Sequence, residues 1–304
     1  MFTDVFGRVF ITSGGKGIDG KGYWYDSFLN LIPGYNFKNA TFIAKTVTIP
    51  ARDGNLPLKP DLQPKAFIPK CIKIYPFTGA MMNAVGISNP GLEAILNMDI
   101  WQQRKMPFLI SVMPVGKTFK ERLREIEQVV ELLEPISFKA VTGLQLNVSC
   151  PNVGLDTESF FDEQLVEYLN KLADLGWFID LKINVLFPYE QIVNLEKWCD
   201  IITCSNTIPF GAFPDKINWN KYKGLEQFGG GGLSGAPILP FVLDWIKSAR
   251  TVSDIEIKGC GGIMSKNDVV KMQAAGVDAI ELGIVKLLRP WRVKSIINKC
   301  DELW

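Results

Sequence analysis

The chain of 304 residues contains no histidine. Histidine is the side chain that ordinarily exchanges a proton near neutral pH, so proton transfer here must fall to a cysteine, lysine, tyrosine or carboxylate. Metal chemistry narrows in the same way. A zinc site without imidazole would need four thiolates or carboxylates, and the six cysteines at 71, 150, 199, 204, 260 and 300 show no Cys-x-x-Cys spacing; no metal site is expected. Thiols scattered through apolar stretches also argue against a disulfide framework and for a reducing, cytoplasmic setting. Cys199 and Cys204 read as core packing. An excess of one charge is missing as well. With 33 basic and 32 acidic residues, the chain has no net field to draw nucleic acid or an anionic membrane, and a small-molecule partner is the expectation. Long hydrophobic runs are absent too: Asp4 and Gly7 interrupt the N-terminus, and no stretch approaches the ~18 apolar residues of a membrane span. Neither a signal peptide nor a membrane segment is expected.

What is present is an apolar fraction of 47%, enough for one sizeable core, and a rhythm. From Pro107 onward, short apolar stretches alternate with longer ones whose apolar residues lie three to four apart. That is the pattern of a parallel sheet covered by helices. Strands are expected at 108–112, 144–148, 178–183, 201–204, 255–258 and 279–282, with helices over 119–133, 163–175 and 266–275. Stretches 9–11 and 42–45 bring the strands to eight. Eight such units close a barrel, so the expected fold is α/β, a (β/α)8 TIM barrel formed by a single domain over 1–304. Two stretches break the rhythm. Residues 46–80 hold six prolines and read as an excursion over the C-terminal mouth. Residues 228–240, with five glycines, read as a second mouth loop.

Functional groups of such a barrel gather where its strands end. Asn147-Val-Ser-Cys150-Pro-Asn152 breaks off an apolar strand and sets a thiol between two carboxamides. With an unperturbed pKa of about 8.5, a thiol is the base best placed to stand in for imidazole. Carboxamides suit a planar substrate with amide edges, because each offers a donor and an acceptor. Taken alone, Asn-x-Ser-Cys is more simply a buried cysteine beside a turn; other strand ends change that reading. Lys45 and Lys182 lie at or near the ends of two strands, Asn206 and Thr207 follow a third, and Asn83 and Asn89 precede a fourth. A lysine inside an apolar strand is costly when unpaired, which points to a buried anion or an electron-rich ring as its partner. Lys258-Gly-Cys-Gly261-Gly262 and Leu282-Gly283-Ile284 end the last two strands. Barrels commonly bind phosphate there, on backbone amides that glycine leaves accessible.

Together these segments resemble the dihydroorotate dehydrogenases, flavin enzymes of pyrimidine synthesis, and most closely their class 1. The similarity covers most of the chain, above all from Asn83 to Gly283. Asn147-x-Ser-Cys150-Pro-Asn152 is similar to the family's catalytic loop, with cysteine where the membrane-associated class 2 carries serine. Asn83-Ala-Val85-Gly86-Ile87-Ser-Asn89-Pro-Gly-Leu-Glu resembles the loop that holds orotate. Gly231-Gly232-Leu-Ser234-Gly235 and Gly259-Cys-Gly261-Gly262 resemble the phosphate loops for FMN, with Gly283-Ile284 completing them. Ser13-Gly14, Lys45-Thr46 and Lys182 match flavin contacts.

The resemblance implies oxidation of dihydroorotate to orotate with FMN as cofactor. Asn83, Asn147, Asn152 and Asn206, with Val85, Gly86, Ile87 and Thr207, would hold the substrate ring. Cys150 would remove the C5 proton while hydride leaves C6 for flavin N5. Lys182 would stabilise charge on the reduced flavin, and Lys45 would contact flavin and substrate. Ile284 departs from a serine or threonine common in the family; Glu281 adds a carboxylate close to the same phosphate site, for which Lys286 would compensate. The Gly-Gly-Leu-Ser-Gly and Asn83 segments lean towards class 1B, whose members pass electrons to a separate subunit carrying FAD and an iron–sulfur cluster; the chain has no cluster motif of its own. A fumarate-linked 1A homodimer is the alternative subclass, and a homodimeric assembly is expected. Competing readings are a dihydropyrimidine dehydrogenase-like flavin enzyme, a Schiff-base aldolase with Lys182 as nucleophile, and a flavin-binding barrel without turnover.

Overall fold

The computed structural model describes residues 1–149 and 163–304; Cys150 and Asn152 lie outside them. Along the chain run β1 (Val9–Ile11), β2 (Thr41–Ile43), β3 (Ile72–Tyr75), β4 (Ala80–Asn83), β5 (Phe108–Val112), β6 (Thr142–Asn147), β7 (Ile179–Ile183), β8 (Ile201–Cys204), β9 (Ile208–Pro209), β10 (Gly232–Gly235), β11 (Glu256–Cys260) and β12 (Ala279–Leu282). Eight of them close a parallel barrel in the order β1-β12-β11-β8-β7-β6-β5-β2. The alternation of apolar strands with amphipathic helices thus forms a TIM barrel, as expected.

Local chemistry explains the helix limits. Phe119–Leu133 starts where the Thr118 hydroxyl accepts from the Glu121 N–H at 3.2 Å and the Glu121 carboxylate accepts from the Thr118 N–H at 2.9 Å, a capping box. Its apolar stripe buries Ile126, Val129 and Leu133. The expected strands at 9–11, 108–112, 201–204 and 279–282 and the helices at 119–133 and 266–275 keep their limits, whereas the remaining ends move by up to two residues. One such shift leaves Lys45 beyond the end of β2. A short helix, Phe2–Phe6, closes the bottom of the barrel, where Phe2 and Phe6 pack with Phe10, Ile43, Leu109 and Ile201. Among the described residues no helix is long and apolar enough to cross a membrane.

The two irregular stretches are not loops throughout. They meet in a second, four-stranded sheet of order β3-β4-β10-β9. Asn83, expected in a loop, is the last residue of β4 and faces Gly232 across the antiparallel β4–β10 ladder. Glycine is poor strand material, so 228–240 carried no strand signal. Gly235 shows why it is there: its φ is 97°, and an added methyl would strike the Gly79 carbonyl. Gly235→Ala is therefore expected to cost more than the ~1 kcal/mol of a tolerated exchange. The urea midpoint should fall, and an unchanged midpoint would contradict the account.

Candidate active site

Successive residues of a strand point to opposite faces, so β7 sends Asp180 and Lys182 to the same side. Gln145 and Asn147 on β6, Lys258 and Cys260 on β11, and Glu281 on β12 face inward with them, and all are buried. They form a charged layer above the phenylalanine plug. The Lys182 ammonium donates to Glu281 and lies 3.3 Å from the Thr12 hydroxyl, which in turn donates to Glu281 at 2.6 Å. Lys258 lies 2.6 Å from Asp180 and 3.5 Å from the other Glu281 oxygen. Asp180 also accepts from Gln145 at 2.8 Å and Thr203 at 2.6 Å.

This layer bears on two expectations. Lys182 has a buried anion as its partner, the Glu281 carboxylate of the same chain. The Glu281 carboxylate, in turn, is engaged by both barrel lysines while bordering the cavity that Gly262, Gly283 and Ile284 line. Burial by itself would raise the Glu281 carboxyl, but Lys182 and Lys258 outweigh it and hold it at about 2. Burial likewise works against the Lys182 ammonium, yet the carboxylate beside it lifts its pKa above the usual lysine range. An amine held as a cation is a poor nucleophile, which removes the basis of the aldolase reading.

Above the charged layer opens a cavity of about 320 Å³. Of the residues singled out in the sequence, Ser13, Gly14, Lys45, Thr46, Asn83, Val85, Gly86, Ile87, Asn147, Lys182, Asn206, Thr207, Ser234, Gly235, Gly261, Gly262, Gly283 and Ile284 line it. Gly232 does not; it is tied into β10, opposite Asn83 and Pro209. Polar contacts link the lining. Asn206 donates to Asn147 Oδ1 at 3.1 Å, Asn147 donates to the Thr46 hydroxyl at 3.2 Å, and the Ser13 hydroxyl lies 2.8 Å from that of Thr46. Lys45 donates to the Ser88 carbonyl at 2.5 Å.

The barrel order puts β6, which delivers Asn147, across from β12, which delivers Gly283. On that far side, among the described residues, the N–H groups of Gly262, Gly283 and Ile284 have no backbone acceptor. Clustered free amides of this kind suit an anion. The cavity is therefore bordered by amides without backbone acceptors on one side and by carboxamides on the other.

Several lining residues were not singled out as site residues: Thr12, Tyr23, Tyr25, Ser205 and Cys260. Counting outward by twos from Lys182 and Lys258 would have found Asp180 and Cys260, but nothing local indicates Thr12 or the tyrosines. Lys286 also lines the cavity, and its ammonium is engaged within the chain. It donates to the Gly15 carbonyl and to both Asp26 oxygens, at 3.0 and 3.1 Å. Burial brings Lys286 down to about 8 against the pull of Asp26.

Fold and cavity together define a (β/α)8-barrel enzyme with its ligand site at the C-terminal ends of the strands. Sequence comparison makes the class specific. The family model described as dihydroorotate dehydrogenase matches residues 9–303, and the chain belongs to that family of flavin oxidoreductases. Its relatives include the catalytic subunit of dihydroorotate dehydrogenase B (NAD(+)) of Listeria welshimeri, 29% identical over 236 residues, covering 73% of each chain. The subunit of the same name from Oceanobacillus iheyensis is 30% identical over 232 residues, covering 74% of this chain and 73% of the relative. These names agree with the leaning towards class 1B. The Eimeria tenella DHODH crystallised with ferulenol superimposes with a TM-score of 0.69 at 17% identity, over 98% of this chain and 84% of that one, a likeness of fold.

Proposed function

We propose that this protein oxidises dihydroorotate to orotate with FMN, as the catalytic subunit of a class 1B enzyme in pyrimidine biosynthesis. The observation that carries the reading is the union, in one cavity, of Asn83, Asn147 and Asn206 with Lys182 and the free amides of Gly262, Gly283 and Ile284. Those amides fit the phosphate of FMN, and Lys182, Lys45, Ser13 and Thr46 fit its ring. FMN, when bound, supplies the two-electron acceptor for hydride.

The chain's own residues bind and orient the substrate and remove its proton. Asn83, Asn147 and Asn206, with Thr207 and the backbone of Val85, Gly86 and Ile87, present donors and acceptors to the amide edges of the ring and to its carboxylate. Asn152 joins them on the sequence reading. Cys150 takes the C5 proton as a pair of electrons leaves C6 with its hydrogen, and the C5=C6 double bond forms. The other thiols do not suit that task. Cys71, Cys199, Cys204, Cys260 and Cys300 are buried, and burial raises each of them, Cys260 and Cys300 to about 12.

The relatives are named catalytic subunits, which supports a separate electron-transfer partner carrying FAD and an iron–sulfur cluster. A homodimeric core and a cytoplasmic location complete the proposal. Its test is the visible spectrum of the purified protein, followed by anaerobic dihydroorotate. Flavin absorbance that bleaches on addition is expected. Flavin that ignores dihydroorotate would defeat the substrate assignment, and a colourless protein that FMN cannot reconstitute would defeat the cofactor.

A further inference from the structure

We propose that Glu281 is a positioning residue that offsets the charge of Lys182 and thereby weakens the protein's preference for the reduced cofactor over the oxidised one. The inference rests on FMN occupying the cavity. Both side chains border that cavity, yet the Lys182 and Glu281 side chains are only 5% and 0% exposed. Glu281 is engaged by Lys182, by the Thr12 hydroxyl at 2.6 Å, by Lys258 at 3.5 Å, by the Gln145 carboxamide at 3.4 Å and by the Cys260 thiol at 3.5 Å.

The charges in the layer balance, with Lys182 and Lys258 against Glu281 and Asp180. A lone lysine under an acceptor ring favours the form that carries negative charge, since attraction between charges a few ångströms apart is strong where water is excluded. A carboxylate in contact with that lysine cancels much of the attraction and also repels the charge on the ring. Taking up a hydride would add two electrons and one proton, so the reduced form of the cofactor would be the more negative at neutral pH. Glu281 therefore acts against reduction, and Lys182 is held by it in a fixed position.

The test compares FMN midpoint potentials of the wild-type holoenzyme and Glu281→Gln by equilibration with a reference dye. The ratio of oxidised to reduced FMN dissociation constants should rise about tenfold in the variant, a shift of about +30 mV for a two-electron couple. The variant leaves two lysines against one carboxylate, so folding is checked with Glu281→Gln/Lys258→Met, which loses one charge of each sign. Its potential should move in the same direction by less, because Lys258 lies deeper, 4.1 Å from the Phe10 ring. A loaded, folded Glu281→Gln with an unmoved or lowered potential overturns the proposal. Failure of both variants to fold also overturns it, because Glu281 would then be scaffold. A wild-type protein that takes up no FMN defeats the cofactor reading and this inference with it, whereas normal loading with an unmoved potential defeats this inference alone.

Discussion

Cys150→Ala is expected to lower flavin reduction by dihydroorotate by about 10²- to 10⁴-fold, the contribution of a positioned general base, with FMN content and substrate affinity unchanged. Several other titratable groups border the cavity and suit the task less well. There is no histidine. Cys260 is a thiol raised to about 12 by burial and by Glu281. Tyr23 and Tyr25 are pushed above the usual phenol range by burial, with Asp26 adding to it. Glu281, held at about 2, accepts protons poorly. Lys286 is brought to about 8 by burial, against the pull of Asp26. Its ammonium is engaged by Gly15 and Asp26, and Lys286→Met leaves Asp26 paired with Lys16 at 2.7 Å. Stopped-flow reduction at saturating dihydroorotate separates the two: Lys286→Met should reduce its flavin at a rate close to wild type, Cys150→Ala should not. Wild-type reduction in Cys150→Ala would end the assignment.

The second large effect concerns stability. Lys258 and Asp180 are both 0% exposed, and removing the lysine leaves two buried carboxylates facing one cation. Lys258→Met should therefore destabilise the protein by about 3–5 kcal/mol, the usual cost of stranding a buried charge. Restoring the balance should recover most of the loss. In Lys258→Met/Asp180→Asn the Lys182–Glu281 pair remains, and the new carboxamide oxygen can still accept from Gln145 Nε2. Urea unfolding of both variants measures this. A single variant that unfolds with the wild-type protein, or a double variant no better than the single, would show that the layer is not coupled as its distances indicate.

Much of the architecture was legible because it is written locally. The Thr118 to Glu121 spacing starts a helix wherever it occurs, and Phe-Leu-Ile-Ser-Val is a buried strand by its own composition. The mouth was legible for a related reason: residues just past strand ends must face it once the barrel closes, which is why Asn147, Asn206, Gly262 and Gly283 share a cavity. What could not be read was pairing between distant segments. Nothing near Gly232–Gly235 suggests a strand, since its partner β4 lies about 150 residues away and supplies the hydrogen bonds that glycine propensity opposes.

By itself the sequence determined the barrel, the family and many of the side chains at its mouth, because periodicity, caps and strand ends depend on near neighbours. Tertiary structure alone decided the electrostatics. Lys182 and Glu281 are 99 residues apart, and only closure of the eight strands brings β7 and β12 within reach across the interior, where low polarity makes a carboxylate partner for the buried lysine count.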